Sequence, residues 1–161
     1  MKRVIKVKIE SGRRPFACKL LIFLQVVLGI GAVFGGLGLV IDPSGELIKM
    51  PISILDYSPF SNFLIPGIIL LVMLGILPLV VSYGLIRKTP WKLADKLNLF
   101  SEKHWTWAYS LFIGFILIIW ITIQMYLIKQ IIAAHVVYIF LGLLIQATTL
   151  LPSVQDYYSV K

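Results

Sequence analysis

Acidic residues are scarce in this chain: seven Asp and Glu stand against fifteen Lys and Arg, and charge of either sign occupies only 14% of its 161 positions. A soluble domain carries about 25%. Cysteine occurs once, at Cys18, which excludes an intrachain disulfide and a CxxC redox pair and leaves a packing role or juxtamembrane acylation. The two histidines, His104 and His135, are separated by a whole apolar run, so they cannot ligate one metal within a subunit. No metal and no cofactor is expected. Ser101-x-x-His104 is too short-range to pair a nucleophile with its base, and there is no phosphate-cradling glycine loop. No Asp, Glu, Lys or Arg lies deep within an apolar run, Lys19 being the nearest to an exception. Proton- or cation-coupled transport normally needs such a group near the midplane and is disfavoured.

What the chain has in excess is apolar length. Hydrophobic residues make up 59% of it and its mean hydropathy is +0.94. A soluble core in a chain this short could not hide that much apolar surface, because a small domain leaves a large share of its surface in water. Four runs, at 16–41, 63–86, 105–128 and 131–151, are each long enough to cross roughly 30 Å of hydrocarbon as a helix. The fold class predicted is all-α: a polytopic four-transmembrane-helix bundle. The first run is about 25 residues long and ends in Asp42-Pro43-Ser44-Gly45, whereas a signal peptide has an apolar region of roughly 7 to 15 residues and a small-residue cleavage site. It is therefore read as a span.

The net charge of +8 is split between the N-terminus and one central connection. That distribution argues for membrane orientation and against a nucleic-acid partner. Thirteen Lys and Arg flank the runs on one side, leaving Lys49 and Lys129 on the other, so both termini are expected in the cytoplasm, with a basic arm at 1–15 and a tail at 152–161. The Ile- and Lys-rich composition points to a prokaryotic inner membrane.

Two connections have their own design. Residues 42–62 form a structured external cap: Asp42-Pro43-Ser44-Gly45 is a turn in which the Asp accepts backbone N–H groups, and Leu47, Ile48, Met50, Ile52, Ile54 and Leu55 are too apolar for a free loop. Thr89-Pro90-Trp91-Lys92 reads as the N-cap and first turn of an interfacial helix over 90–103, with Trp91, Ala94 and Leu97 on its apolar face. Trp105 and Trp107 are expected at headgroup level.

Helical spacing then sets the seams. Cys18, Gln25, Gly29, Ala32 and Gly36 share one arc of the first run, with Gly31-x-x-x-Gly35 as a second close-approach surface. In the second run, Gly67, Leu71, Leu74, Pro78 and Ser82 line one side, where Pro78 should kink the helix and free a carbonyl that Ser82 or a neighbour could satisfy. Thr106, Ser110, Gly114, Ile121 and Gln124 form the third seam, and His135, Tyr138, Gly142, Gln146 and Thr149 the fourth. A lipid-facing Gln or His would leave polar groups unsatisfied, so these must point inward. Gln25, Gln124, His135, Tyr138 and Gln146 are accordingly the candidate ligand-binding residues, unless they only bond between helices.

The stretch Gly35-Gly36-Leu37-Gly38-Leu39, followed by Asp42-Pro43-Ser44-Gly45, Ser58-Pro59-Phe60 and Phe63-Leu64-Ile65-Pro66-Gly67, resembles a group of small prokaryotic four-span membrane proteins. Trp105-x-Trp107-x-x-Ser110-x-x-x-Gly114, the Ile118-Ile119-Trp120-Ile121 run with Gln124, and the Pro152-Ser153-Val154 tail with Tyr157-Tyr158 extend the likeness over most of the chain. It implies the span layout and carries over no activity. DoxX-like and EXPERA proteins are similar in layout only, and the buried acids of an isomerase site are absent. The leading functional expectation is a non-enzymatic bundle binding an apolar ligand or membrane partner, with membrane lipid around it and a homo-oligomer or protein partner possible. An uncoupled oligomeric channel or transporter is the alternative. A lipid-modifying enzyme would require Asp42, Glu46 or Asp56 to converge on a pocket.

Overall fold

The computed structural model describes residues 13–160, so most of the basic N-terminal arm lies outside the described residues. Within them the chain is helical, with no pairing of strands beyond an isolated bridge between Lys103 and Ser159. Helix α1 spans Phe16–Ile41. A second long helix spans Leu64–Arg87, built from α2 (Leu64–Ile69), a π-helical stretch (Leu70–Ile76) and α3 (Leu77–Arg87). A short α4 (Lys92–Lys96) precedes α5 (Trp105–Ile128), α6 (Ala133–Thr149) and α7 (Pro152–Tyr157).

Three of these helices are long and apolar enough to cross a membrane: α1, Leu64–Arg87 and α5. Each turns one face inward and shows large apolar side chains outside, such as Phe16, Phe23 and Phe34 on α1 and Phe115, Ile119 and Ile123 on α5. Such a surface is stable only where lipid replaces water. The chain is thus a multi-pass membrane protein.

The fourth apolar run gives a shorter helix than its length allows. α6 has 17 residues, roughly 26 Å at about 1.5 Å per residue. Its start is trimmed because Ile132 is extended and its N–H donates to Nδ1 of His135 at 3.3 Å. Its end is set by Pro152, which disfavours helical geometry at the residue before it: Leu151 has φ −60° and ψ 135°.

Pro78 shapes the second helix in a similar local way. Proline has no N–H and its ring crowds the carbonyl four residues back. The π-helical stretch just before it widens the turns, with the Leu77 N–H donating to the carbonyl of Val72, and the helix passes Pro78 without breaking. Of the two alternatives for a freed carbonyl, Ser82 or a neighbour, Ser82 does not serve. It is buried and its Oγ has no protein partner.

Packing follows the seams. α1 lies along the whole Leu64–Arg87 helix and also touches α6, while α5 packs on α6, on α3 and on the π-helical stretch. Two crossings are close enough to need glycine: a Cβ on Gly36 would stand 2.8 Å from the backbone of Leu71, and one on Gly114 would stand 3.0 Å from the carbonyl of Gly142. Gly31, by contrast, is exposed and meets little.

The basic residues of the described chain collect at one end. Arg13, Arg14, Lys19, Arg87, Lys88, Lys92, Lys96 and Lys103 lie there with Asp95, Glu102 and Asp156, whereas Lys49 and Lys129 share the other end with Asp42, Glu46 and Asp56. Hydrogen bonds tie the basic end together. Arg14 Nη2 donates to the Ile86 carbonyl at 2.8 Å, Lys88 Nζ to that of Tyr157 at 2.9 Å, and Lys103 Nζ to that of Gln155 at 3.1 Å. The tail is part of the core: Val154 and Tyr158 are buried, and the His104 N–H donates to the Tyr158 carbonyl at 2.8 Å.

Two expectations at this end need correction. The helix expected over 90–103 is confined to Lys92–Lys96, with Trp91 rather than Thr89 at its N-cap. The Thr89 carbonyl is held by the Trp105 indole at 2.8 Å, and Asn98 ends the helix by accepting from the Phe100 N–H and donating to the Lys103 carbonyl. Trp105 and Trp107 are also not headgroup anchors. Both are buried, and the Trp107 indole donates to the Thr149 carbonyl at 2.8 Å.

At the opposite end the Asp42 turn forms as its residues require. Asp42 Oδ1 accepts from the Ser44 hydroxyl at 2.6 Å and from its N–H, and Oδ2 accepts from the Leu47 N–H at 2.8 Å. Gly45 takes φ +85°, a conformation open to glycine at little cost. Two short 3₁₀ turns, Glu46–Ile48 and Ile52–Leu55, then bring the chain back to the Leu64–Arg87 helix.

Candidate functional site

The polar residues singled out by their spacing are distributed along the bundle. Gln25 is fully buried on α1, and neither its Nε2 nor its Oε1 has a protein partner. Gly29, one turn further on, faces Leu79 and the Gly75 carbonyl. The same antiparallel register carried one turn toward the basic end sets Gln25 level with Ser82, another buried group without a protein partner. Gln146 is half-buried on α6, its stem packed on Gly114 and its Nε2 unpartnered.

The other three lie nearer the far end. His135 is buried but spends Nδ1 on the start of its own helix. Tyr138 is more than one-third exposed, its hydroxyl near Gly31. Gln124 is half-buried in the last turns of α5.

A cleft of about 190 Å³ opens elsewhere, between the second helix and α5. Ile69, Met73 and Leu74 form one wall; Ile116, Ile119, Trp120 and Ile123 form the other. None of the five polar candidates lines it. Met73 and Leu74 belong to the π-helical stretch, so the distortion that accommodates Pro78 also shapes this wall; π-bulges recur at functional sites. Ile119 and Ile123 are exposed on the outer rim, so the cleft is open to lipid.

Its lining is almost wholly apolar. Trp120 Nε1 is buried and has no hydrogen-bond partner among the protein atoms. A buried indole N–H ordinarily finds an acceptor. The volume falls below the roughly 300–1,000 Å³ of sites that enclose a drug-sized molecule. Its size suits one chain segment of a longer apolar molecule. Polar reasoning from sequence passes over such a site, and its one legible signal is a tryptophan in mid-run among aliphatic residues.

Two titratable groups outside the spans, Asp42 and His104, are engaged structurally. The Ser44 hydroxyl, followed by the Leu47 N–H, holds the Asp42 carboxyl below its ordinary range. Glu46 and Asp56 stand exposed. At the basic end His104 caps α5: its Nδ1 lies 2.8 Å from Thr106 Oγ1 and accepts from the Thr106 N–H at 3.4 Å. Burial pushes the His104 imidazole below its usual pKa of 6.5. Among the described residues no group of three His, Cys, Asp or Glu is placed to hold a metal ion.

Comparison with protein-family models, with curated proteins and with solved structures gives no match to this chain.

Proposed function

We propose that the protein is a non-enzymatic, four-span bundle of a prokaryotic cell membrane, with both termini cytoplasmic, that binds an apolar chain in the cleft between the second helix and α5. The cleft itself carries this reading: seven apolar side chains around about 190 Å³, open to lipid. No ionisable group lines it, so it offers binding and no acid–base chemistry. The orientation follows from the cations gathered at the end that holds Arg14, Lys88 and Lys103. α6 is counted as the fourth span because a helix shorter than the hydrocarbon thickness is accommodated by local thinning of the bilayer.

Native mass spectrometry of the protein released gently from membranes tests the reading. Wild type should retain an apolar molecule, and Ile119→Trp should lose it by filling the cleft. A bare wild-type protein, or one whose bound molecule is indifferent to Ile119→Trp, would refute it.

A second reading is an uncoupled path for small solutes in an oligomer, favoured by the unpartnered polar atoms of Gln25, Ser82 and Gln146 inside the bundle. Solute flux into liposomes, compared between wild type and Gln25→Leu, separates it from the first. The enzyme reading lacks such support, since Asp42 is committed to its own turn.

A further inference from the structure

The connection between α3 and α5 carries little regular structure, yet it is fixed to the protein. The Trp105 indole holds the Thr89 carbonyl at 2.8 Å, the Trp91 ring packs edge-on against Trp105 at 5.4 Å, Ala94 is buried, and the Phe100 ring packs on Trp107 at 5.2 Å. A connection pinned at four points would be expected to turn its apolar side chains inward. It does the reverse: Leu93, Leu97 and Leu99 are 59%, 63% and 80% exposed, and Trp91 is 44% exposed.

Their arrangement relative to charge is regular. Leu93 of α4 and Leu97 at its C-cap stand one turn apart, and Lys92 and Lys96, both exposed, form the neighbouring stripe. Ala94 takes the inward side and Asp95 falls beyond the lysines, away from the leucines. Arg87, at the end of α3, is exposed beside this stretch. Eight cations face three carboxylates at this end of the described chain. Arg14, Lys88 and Lys103 are directed to backbone carbonyls, so the carboxylates do not neutralise the surface through them.

An exposed apolar stripe flanked by cations, held rigidly at the level where the spans end, matches the boundary between acyl chains and phosphate headgroups. We propose that this face docks on anionic phospholipid of the surrounding bilayer, with Trp91, Leu93 and Leu97 entering the acyl boundary and Arg87, Lys92 and Lys96 holding headgroup phosphates. Charge complementarity selects this occupant: a zwitterionic surface would satisfy the leucines and leave the cations without a counter-charge. The docking rests on the membrane-spanning reading alone and is independent of the cleft, which is walled by other residues.

The test uses full-length protein in phosphatidylcholine nanodiscs that contain a minor fraction of either brominated phosphatidylglycerol or brominated phosphatidylcholine. Trp91 is the most exposed of the four indoles, so quenching of tryptophan fluorescence reports chiefly on it, and Trp91→Phe identifies its share. Brominated phosphatidylglycerol should quench Trp91 more strongly at equal mole fraction, through a local enrichment of roughly fivefold per engaged cation. Arg87→Gln/Lys92→Gln/Lys96→Gln, whose altered side chains are all exposed, should erase that difference, while Lys129→Gln at the opposite end should leave it intact. Equal quenching by the two lipids in wild type would overturn the proposal, as would a preference that survives the triple substitution. Failure of either brominated lipid to reach Trp91 would overturn it too, and would assign the face to a protein partner.

Discussion

The hydroxyl of Tyr158 donates a hydrogen bond to the carbonyl oxygen of Leu85 at 2.9 Å, joining the tail to the last turn of α3 across 73 positions of sequence. Both residues are buried, and burial holds the phenol well above its ordinary pKa, so it remains a donor. Tyr158→Phe keeps the ring and strands the Leu85 carbonyl. It should lower stability by about 1–2 kcal/mol, the cost of an unsatisfied buried acceptor. Thermal unfolding in detergent measures this, and an unchanged midpoint would mean that the tail is not docked.

His104 makes stability depend on pH. Its Nδ1 must be unprotonated to accept from the Thr106 N–H, and burial disfavours the charged ring. Because the folded pKa lies below the unfolded value, the unfolded chain takes up the proton more readily. The contribution of His104 is complete above about pH 6.5 and is lost as pH falls through its folded pKa. Unfolding midpoints should therefore fall as the pH is taken down from about 6.5. His104→Asn, which preserves an N-cap acceptor without titrating, should remove most of that slope.

A pair of glycine substitutions on α1 separates close packing from mere helix composition. Gly36→Ala places a methyl 2.8 Å from the backbone of Leu71, which cannot rotate away as a side chain would. The helices must part, at a cost of about 1–3 kcal/mol. Gly31→Ala meets nothing closer than 4.0 Å, the Tyr138 hydroxyl, and should be neutral or stabilising by up to about 1 kcal/mol through helix propensity. Equal effects of the two would contradict the crossing described above.

Gln25→Leu asks what the buried amide is for. Neither amide atom has a protein partner, and an unpaired buried amide is unfavourable by about 1–3 kcal/mol. Replacing it with leucine of similar size should raise the unfolding temperature. A loss of stability instead would show that the amide is bonded in the membrane and would shift weight to the solute-path reading.

The long helices α1 and α5 were legible in the sequence, because a run of apolar residues of bilayer length is favourable as a helix whatever its neighbours are. Phe16–Ile41 follows Pro15 and ends at the Asp42 turn, and Trp105–Ile128 follows the capping His104, so their limits are written in local residues. The glycine seams were legible for a similar reason: close approach needs small residues at helical spacing. Arg14, Lys88 and Lys103 could be counted toward one end before any contact was known.

Tertiary structure decided the rest. Lipid and a neighbouring helix are almost equally apolar, so composition does not say which Ile or Leu faces which. The cleft of Met73, Ile119 and Trp120 is therefore invisible in a sequence where every lining residue has the character of a lipid-facing one. The same limit hid the inward turn of Trp105 and Trp107, whose indoles chose the carbonyls of Thr89 and Thr149 over the interface. It also hid the return of Tyr158 to Leu85. Transfer from water into lipid is a property of each residue in its own segment, and the sequence alone determines it; the pairing of donors with distant carbonyls and the gap left between the second helix and α5 depend on how packed helices meet, which only the folded molecule decides.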